Sequence, residues 1–382
     1  MLLCAAAAFA GAGCIHYQTP VLGRMAAEFG VDAQAIGWVP TMTFGGFLAG
    51  ILFIVPLGDR MDKRRLVLIQ HCAAILALLA AGAATGPVTA AASGFLIGLC
   101  SCYAQSVIPL VADLSPPARR GIAVGSILTA LFLGILFARM ASGVIAEHLG
   151  WRWSYGVAAA MLLSLTPALL AWLPGSAPKT SLSYLRLLSS IPGLLRQHAD
   201  LRRVFATQSL VGICYGGFWA TIATMLLVAH GLGPAVAGLI AIPGAAGILV
   251  ARPAGRWLDR SGPGPIVATG AAVILAAYAV FAFGALWPAA LALGAVLLDC
   301  GLRAAMVANQ TSVNLLLPEA RSRANTVFGM AVWSGNAAGA FLASTALAMS
   351  GWLAVCAISA LAAGSALAVQ LRAGFPPARP GG

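Results

Sequence analysis

Apolar runs long enough to cross a lipid bilayer recur along this chain, and they restrict its fold more than any other feature. Only 8% of its 382 residues are charged, and the mean hydropathy is +0.93. A globule surrounded by water needs a polar surface that this composition cannot supply. The sequence therefore predicts an all-α polytopic membrane protein.

The apolar runs predict twelve transmembrane helices. Their expected positions are 1–20, 36–57, 66–83, 88–111, 122–146, 153–173, 203–229, 235–252, 265–285, 288–311, 326–346 and 352–371. No basic stretch precedes the first run, so a cleavable signal peptide is not expected. With these spans, 18 of the 22 Lys and Arg residues lie in loops on one side of the membrane, at the span ends that adjoin these loops, or in the C-terminal tail.

The positive-inside rule makes that side the cytoplasm. We therefore predict an integral protein of a bacterial-type inner membrane with both termini in the cytoplasm. The net charge of +12 is explained by this bias, so a nucleic-acid partner is not expected.

Short motifs recur at a spacing of about 200 residues, which indicates an internal duplication. The recurring pairs are Asp59 with Asp259, Pro116 with Pro318, and Gly150 with Gly351. We predict two pseudo-symmetric six-helix halves at 1–173 and 203–382, joined by a cytoplasmic linker at 174–202. Leu and Arg spacing near 184–196 permits a helix on the membrane surface within that linker. Many secondary transporters are built from repeated halves.

A compact charged loop separates the second and third apolar runs and carries a recognisable signature, Gly-x-Leu-x-Asp-Arg-x-Gly-Arg-Arg. The matching residues are Leu57, Asp59, Arg60, Lys63 and Arg64. Val55 and Asp62 replace the two glycines of the signature, whereas the second copy of the loop keeps both as Gly255 and Gly262. On this basis the chain resembles the Major Facilitator Superfamily of transporters over its whole length.

Helix five contains small residues that resemble the antiporter-branch signature Gly-x8-Gly-x3-Gly-Pro-x2-Gly-Gly. The matching positions are Gly125, Gly134, Ala138, Arg139, Ser142 and Gly143. Because small residues let helices pack closely, Gly125, Gly134 and Gly143 are predicted packing positions. The resemblance is to the twelve-span drug:proton antiporter branch, with two departures. Arg139 stands at the proline position, and Ile97 stands in helix four where that branch has an arginine that relays protons.

The charged loops predict a gate on the cytoplasmic side. Its expected residues are Asp59, Arg60, Arg64, Asp113, Arg119, Gly255, Asp259 and Arg260. The Asp59 carboxylate can face the positive N-terminus of a helix from the other half, which we expect to be helix eleven near Asn325. The arginines are expected to support this latch by charge-assisted hydrogen bonds to carboxylates such as Asp113. The alternative is that these charges only set the topology.

Three charged residues lie well inside predicted spans, away from the span ends, where a charge is costly unless it is paired or functional. Asp299 lies about 16 Å along helix ten, near the bilayer midplane. Arg303 follows one turn later, at a spacing that allows an ion pair. We predict that Asp299 couples transport to protons, with Arg303 and Arg139 setting its proton affinity. The alternatives are a purely structural pair in helix ten and an Arg139 side chain that reaches the outer interface.

A small set of polar and aromatic residues in the spans is predicted to line a substrate cavity. They are Tyr17, Gln18, Tyr103, Gln105, Tyr215, Trp219, Asn309, Trp333 and Asn336. The rest of such a cavity would be mainly Ala, Leu and Gly, which suits small amphiphilic solutes better than sugars or phosphates. Hydrogen bonding between helices is the alternative role for any one of them. His16 could also titrate near neutral pH.

Together these features predict a secondary active transporter that exports small amphiphilic compounds in exchange for protons by alternating access. A uniporter, or a sugar or metabolite efflux permease of the same fold, is the alternative. Neither an enzyme nor a cofactor nor a metal site is expected, because the loops are short and carry no cluster of nucleophiles, bases or metal ligands. A non-transporting receptor would leave the repeated gate motif unexplained. The expected partners are the small-molecule substrate, protons and the lipid bilayer, and the chain is expected to function as a monomer.

Overall fold

The computed structural model describes residues 1–116, 119–175, 184–250, 257, 261–316 and 321–373. Over these ranges every regular element is a helix and no strand is present. The α-helices are α1 (Leu2–Cys14), α2 (Leu22–Phe29), α3 (Ala33–Ala49), α4 (Lys63–Gly82), α5 (Pro87–Ser101), α6 (Tyr103–Leu114), α7 (Arg120–His148), α8 (Trp151–Trp172), α9 (Tyr184–Gln197), α10 (Ala199–His230), α11 (Pro234–Leu239), α12 (Ala241–Gly244), α13 (Pro263–Phe281), α14 (Pro288–Leu316), α15 (Arg321–Ser350) and α16 (Trp352–Ala373). The predicted all-α fold is confirmed.

Ten helical segments in the described ranges are long and apolar enough to cross a membrane. They correspond to ten of the twelve predicted spans. The predicted spans at 1–20 and 235–252 differ, because each of them is a broken helix.

A proline lies near each break, although α3 and α8 continue past Pro40 and Pro167. Pro20 has no N–H to donate to the carbonyl of His16, and Thr19 donates to that carbonyl instead at 3.2 Å. In the same way α11 ends at Leu239, four residues before Pro243. The prediction of continuous helices at these two places is wrong, because hydropathy alone does not register a missing backbone donor.

The chain divides into two compact units. Unit 1 contains Met1–Arg186 and Gly233–Leu239, and unit 2 contains Leu187–Leu232 and Ile240–Gly382. Helix α9 lies within the predicted linker, and α10 begins at Ala199, a few residues before the predicted start of the seventh span. The domain boundaries expected from the sequence remain a prediction.

Glycine permits very close packing within unit 1, whose main helix pairs are α3 with α5, α1 with α7, and α4 with α8. A Cβ atom on Gly98 of α5 would overlap the carbonyl oxygen of Thr43 in α3. A Cβ on Gly134 of α7 would likewise overlap the carbonyl oxygen of Phe9 in α1. These two helix contacts therefore depend on the absence of a side chain.

The same device holds unit 2 together, where α10 packs on α15 and α13 packs on α14. A Cβ on Gly216 of α10 would overlap the backbone of Asn336 in α15. Gly270 of α13 and Gly301 of α14 face each other. A Cβ added to Gly270 would lie 2.7 Å from the carbonyl oxygen of Gly301, and a Cβ added to Gly301 would lie 2.6 Å from the carbonyl oxygen of Gly270.

Four glycines with positive φ form two pairs that are equally spaced in the sequence. Gly150 and Gly351 have φ values of 94° and 76°, and each precedes a tryptophan that begins a helix. Gly30 and Gly231 both have φ of 64° and end α2 and α10. Glycine adopts this left-handed region without steric cost. The second pair has the same spacing as the first, which agrees with the duplication predicted from the sequence.

Candidate functional site

The charged loop that carries the superfamily signature ends where α4 begins. Asp62 accepts a 3.0 Å hydrogen bond from the Arg64 N–H and so caps α4. The Arg64 guanidinium donates to the carbonyl of Leu170 in the last turn of α8, where carbonyls lack helical partners. Arg64 therefore ties α4 to α8 through a backbone acceptor, whereas the sequence predicted a carboxylate acceptor.

The other predicted gate residues form no described contact with one another. Arg60 and Arg119 are exposed. Gly255, Asp259 and Arg260 lie outside the described residues. The side chains of Asp59 and Asp113 are also outside the described part of the structure. The gate therefore stays a prediction.

Two of the three predicted packing glycines in α7 meet other helices. Gly134 lies against Phe9, as noted above, and a Cβ on Gly143 would overlap the carbonyl oxygen of Pro234 at the start of α11. Gly125 differs, because it is exposed and an added Cβ would meet no described atom within 4 Å. Within the described residues the packing role applies to Gly134 and Gly143.

Arg139 of α7 is buried and directed at the break after α1. It is 4% exposed, and its Nη2 atom lies 3.1 Å from Nδ1 of His16, which is 2% exposed. A guanidinium can only donate hydrogen bonds, so the imidazole Nδ1 is the acceptor. His16 is therefore the neutral tautomer that carries its proton on Nε2.

The break itself is held by polar side chains. The Gln18 amide donates to the carbonyl of Ile15 at 3.2 Å, and the Thr43 hydroxyl of α3 donates to Gln18 Oε1 at 2.8 Å. Tyr17 is fully buried, and its hydroxyl has no hydrogen-bond partner among the described atoms. The predicted cavity residues Tyr17 and Gln18 thus lie where α1 has lost its helical bonds.

Tyr103 belongs to a second buried network in unit 1. His71 of α4 accepts a 3.3 Å hydrogen bond from the Tyr103 hydroxyl at Nδ1, and its Nε2 donates to the carbonyl of Leu162 at 3.0 Å. Tyr103 and His71 are both fully buried. This network links α4, α6 and α8, which agrees with the structural alternative for Tyr103. The remaining cavity residue of this unit, Gln105, is half-buried.

Unit 2 contains the predicted intramembrane ion pair. Nε of Arg303 lies 3.3 Å from Oδ2 of Asp299, and the side chains are 15% and 11% exposed. Both residues lie on one face of α14, one turn apart. A Cβ on Gly247 would overlap Asp299 Oδ2 and come within 2.7 Å of its carbonyl carbon. Gly247 lies in Ala245–Val250, a 3-10 segment that continues the broken eighth span.

The other predicted cavity residues of unit 2 lie in two places. Asn309 of α14 donates to Gln208 Oε1 at 3.1 Å and to the Thr207 hydroxyl at 3.4 Å, which joins α14 to α10. Tyr215 and Trp219 meet edge to face on α10, with ring centroids 6.2 Å apart. Trp333 is half-buried and Asn336 is buried in α15.

A further polar cluster joins α2 to the start of α8. Glu28 accepts hydrogen bonds from the Arg152 guanidinium and from the Trp151 indole. The bond from Arg152 is the main cause that lowers the pKa of Glu28 below its ordinary value, and the Trp151 bond adds to it. Glu147 at the end of α7 pairs with Arg24 at 3.6 Å and accepts from the Ala235 N–H at 3.4 Å.

The sequence indicated His16 and Arg139 separately but not their contact, and it missed Thr43, Gly247 and Glu28. Hydropathy treats Thr43 and Gly247 as ordinary members of apolar runs. The signal that could have found Gly247 is its place four residues after Pro243, because a proline removes one backbone donor from an apolar run. The Glu28 cluster depends on contacts between distant segments, which no local pattern contains.

Ten apolar helices of membrane length in the described part of the chain, with charged groups buried among them, are typical of an integral membrane transporter. A family model described as Major Facilitator Superfamily matches residues 1–302, and the chain belongs to that superfamily.

Two bacterial relatives match most of the chain. One is the "Uncharacterized transporter YgaY" of Escherichia coli O157:H7, which is 31% identical over 89% of this chain and 87% of its own length. The other is the "Probable transporter SCO4007" of Streptomyces coelicolor, which is 33% identical over 90% of this chain and 80% of its own. The crystal structure of the nucleoside transporter NupG has a TM-score of 0.78 at 15% identity and covers 97% of each chain. This likeness shows the fold.

Proposed function

We propose that this transporter is a proton-coupled exporter of small amphiphilic compounds in a bacterial inner membrane, with both termini in the cytoplasm. The observation that carries the proposal is the Asp299–Arg303 pair, which lies on an apolar helix and is largely shielded from solvent. Burying a carboxylate at such a place costs free energy, and uptake and release of a proton would give this carboxylate a function.

The environment of Asp299 suits reversible protonation. Arg303 favours the carboxylate form, because an opposite charge within about 4 to 6 Å stabilises it. Burial favours the neutral acid. A proton on Asp299 would weaken the ion pair, so Arg303 and the backbone of Gly247 would each respond to the change of charge.

The substrate class follows from the residues available for contact. The polar and aromatic residues predicted for a cavity are few, and Gln18, Tyr103 and Asn309 already hydrogen-bond to other helices. Tyr215 is half-buried and meets the buried Trp219 edge to face, and an aromatic pair of this kind suits flat or partly apolar solutes. Alternating access, with Asp59 and Asp259 as gate residues, is the mechanism that we propose for their export.

A second candidate is a uniporter or a sugar or metabolite permease of the same fold. Ile97 favours it, because the antiporter branch has an arginine at this position. Under this alternative Asp299 and Arg303 would only brace α14.

The experiment that separates the two uses the purified chain in proteoliposomes that contain the pH indicator pyranine. Ethidium, other amphiphilic cations, nucleosides and pentoses are added with and without an imposed pH gradient. We expect amphiphile transport against a concentration gradient, with proton movement in the opposite direction. Transport that only equilibrates the solute, at a rate independent of the pH gradient, would contradict proton coupling.

A further inference from the structure

We propose that His16 is a second proton-binding site of this transporter, and that Arg139 bonds the neutral imidazole and releases the protonated one. The inference rests on the proposed proton-coupled function for its role in transport. The site itself is a property of unit 1 alone, and it is distinct from Asp299 in unit 2.

Hydrogen-bond chemistry makes the two states exclusive. Nη2 of Arg139 donates to Nδ1 of His16 over 3.1 Å. A proton on Nδ1 would turn the acceptor into a donor and set two positive charges against each other. Because both residues are more than nine-tenths buried, little solvent is present to screen that repulsion. The contact can persist only while His16 is neutral.

Arg139 is the charged group that faces His16 most directly. Within the predicted spans 1–20, 66–83 and 88–111, the other ionisable residues are Cys4, Cys14, Tyr17, His71, Cys72, Cys100, Cys102 and Tyr103, of which the thiols and phenols are neutral near pH 7. The two ring nitrogens of His71 contact the Tyr103 hydroxyl and the Leu162 carbonyl. Neither α3 nor α11 contains an ionisable side chain.

The charges at the far side of the break are engaged elsewhere. Arg24 pairs with Glu147, and Glu28 is bonded to Arg152. Arg139 is therefore the charged residue whose position depends most directly on the charge of His16.

The backbone at His16 is able to respond to this change. His16 lies between the end of α1 at Cys14 and the 3-10 turn at Thr19–Val21, where no continuous helix constrains it. Its neighbour Gln18 is bonded to Thr43 of α3. Loss of the Arg139 contact would thus act on the segment between α1 and Thr19, which contacts both α3 and α7. We infer that this segment changes its conformation when the contact is lost.

The first test needs no substrate. The chain has five histidines, so ¹⁵N NMR of imidazole and guanidinium nitrogens in lipid nanodiscs is tractable, with His16→Asn used to assign the signals. At about pH 8 we expect an unprotonated Nδ1 and a protonated Nε2 on His16. As the pH is lowered from about 8 to about 4, the His16 and Arg139 signals should change together with one midpoint.

His16→Asn supplies the matched comparison, because its Oδ1 can accept from Arg139 in place of Nδ1 but cannot take up a proton. The Arg139 signals of this variant should not depend on pH. The proposal is overturned if wild-type His16 stays neutral over this range, or if His16 titrates while the Arg139 signals stay fixed.

The second test measures ethidium exchange in proteoliposomes as a function of pH. His16→Asn should retain downhill exchange but lose most of the pH dependence of the wild type, whereas His148→Asn, at an exposed position near the end of α7, should keep it. An unchanged pH profile in His16→Asn would overturn the proposal. A third outcome is that the His16 and Arg139 signals titrate together but transport does not respond to a pH gradient. This outcome would contradict the proposed proton-coupled function and would still support the proton-binding site at His16.

Discussion

The backbone of Gly247 lies against the carboxylate of Asp299, so closely that a methyl group at position 247 would overlap Asp299 Oδ2. The 3-10 segment of the eighth span thus restricts the position of Asp299, whose carboxylate forms the ion pair with Arg303 in α14. Since α14 and this segment both belong to unit 2, the contact links a broken helix to the proposed coupling residue.

Gly247→Ala should therefore impair transport by displacing Asp299 or the segment that carries residue 247. The expected cost in stability is about 1–3 kcal/mol, as for an overpacked core position. Gly244→Ala is the matched control, because its Cβ would meet only the Ala295 carbonyl oxygen, at 3.9 Å. Thermal unfolding in detergent and proton-driven transport are the measurements. Equal behaviour of the two variants would show that Gly247 does not position Asp299.

Gly134→Ala should destabilise unit 1, because α7 and α1 touch through backbone atoms at this point. We expect a loss of about 1–3 kcal/mol. Gly125→Ala in the same helix faces open space and should be neutral or slightly stabilising, since alanine favours helix over glycine. Comparison of the two melting temperatures tests the packing, and a Gly134→Ala protein as stable as Gly125→Ala would refute it.

Thr43→Val should weaken the break after α1, because it leaves Gln18 Oε1 without its donor from α3. The expected loss is about 1–3 kcal/mol for an unsatisfied buried acceptor. Thr41→Val provides the comparison, since the Thr41 hydroxyl bonds only the Gly37 carbonyl of its own helix among the described contacts. The difference between the two unfolding free energies is the quantity to measure.

The Glu28 cluster predicts an acid-dependent loss of stability. Its hydrogen bonds lower the pKa of Glu28 in the folded state, so the stabilisation is fully present above the ordinary pKa of about 4.3. It is lost as the pH falls through the lowered value. Glu28→Gln and Arg152→Gln should each flatten the dependence of thermal stability on pH in this acid range. An acid slope that both variants retain would assign the effect to other groups.

The sequence predicted the fold class and ten of the spans, because twelve apolar runs in a chain with few charges have little alternative to membrane helices. It also predicted the Asp299–Arg303 pair, which depends only on spacing within one helix. It failed at the two spans that contain Pro20 and Pro243, which are interrupted although hydropathy reads each of them as one apolar run. The Arg139–His16 contact joins residues 123 positions apart and requires the packed structure.

The central claim is that Asp299 takes up and releases the proton that drives export. Asp299→Asn keeps the shape of the side chain and removes its exchangeable charge. The direct measurement is efflux of ethidium against its concentration gradient in vesicles with an imposed pH gradient, compared with downhill exchange in the same vesicles. We predict that the variant loses uphill efflux and keeps downhill exchange. Uphill efflux at the wild-type rate would contradict the claim and leave Asp299 as a structural partner of Arg303.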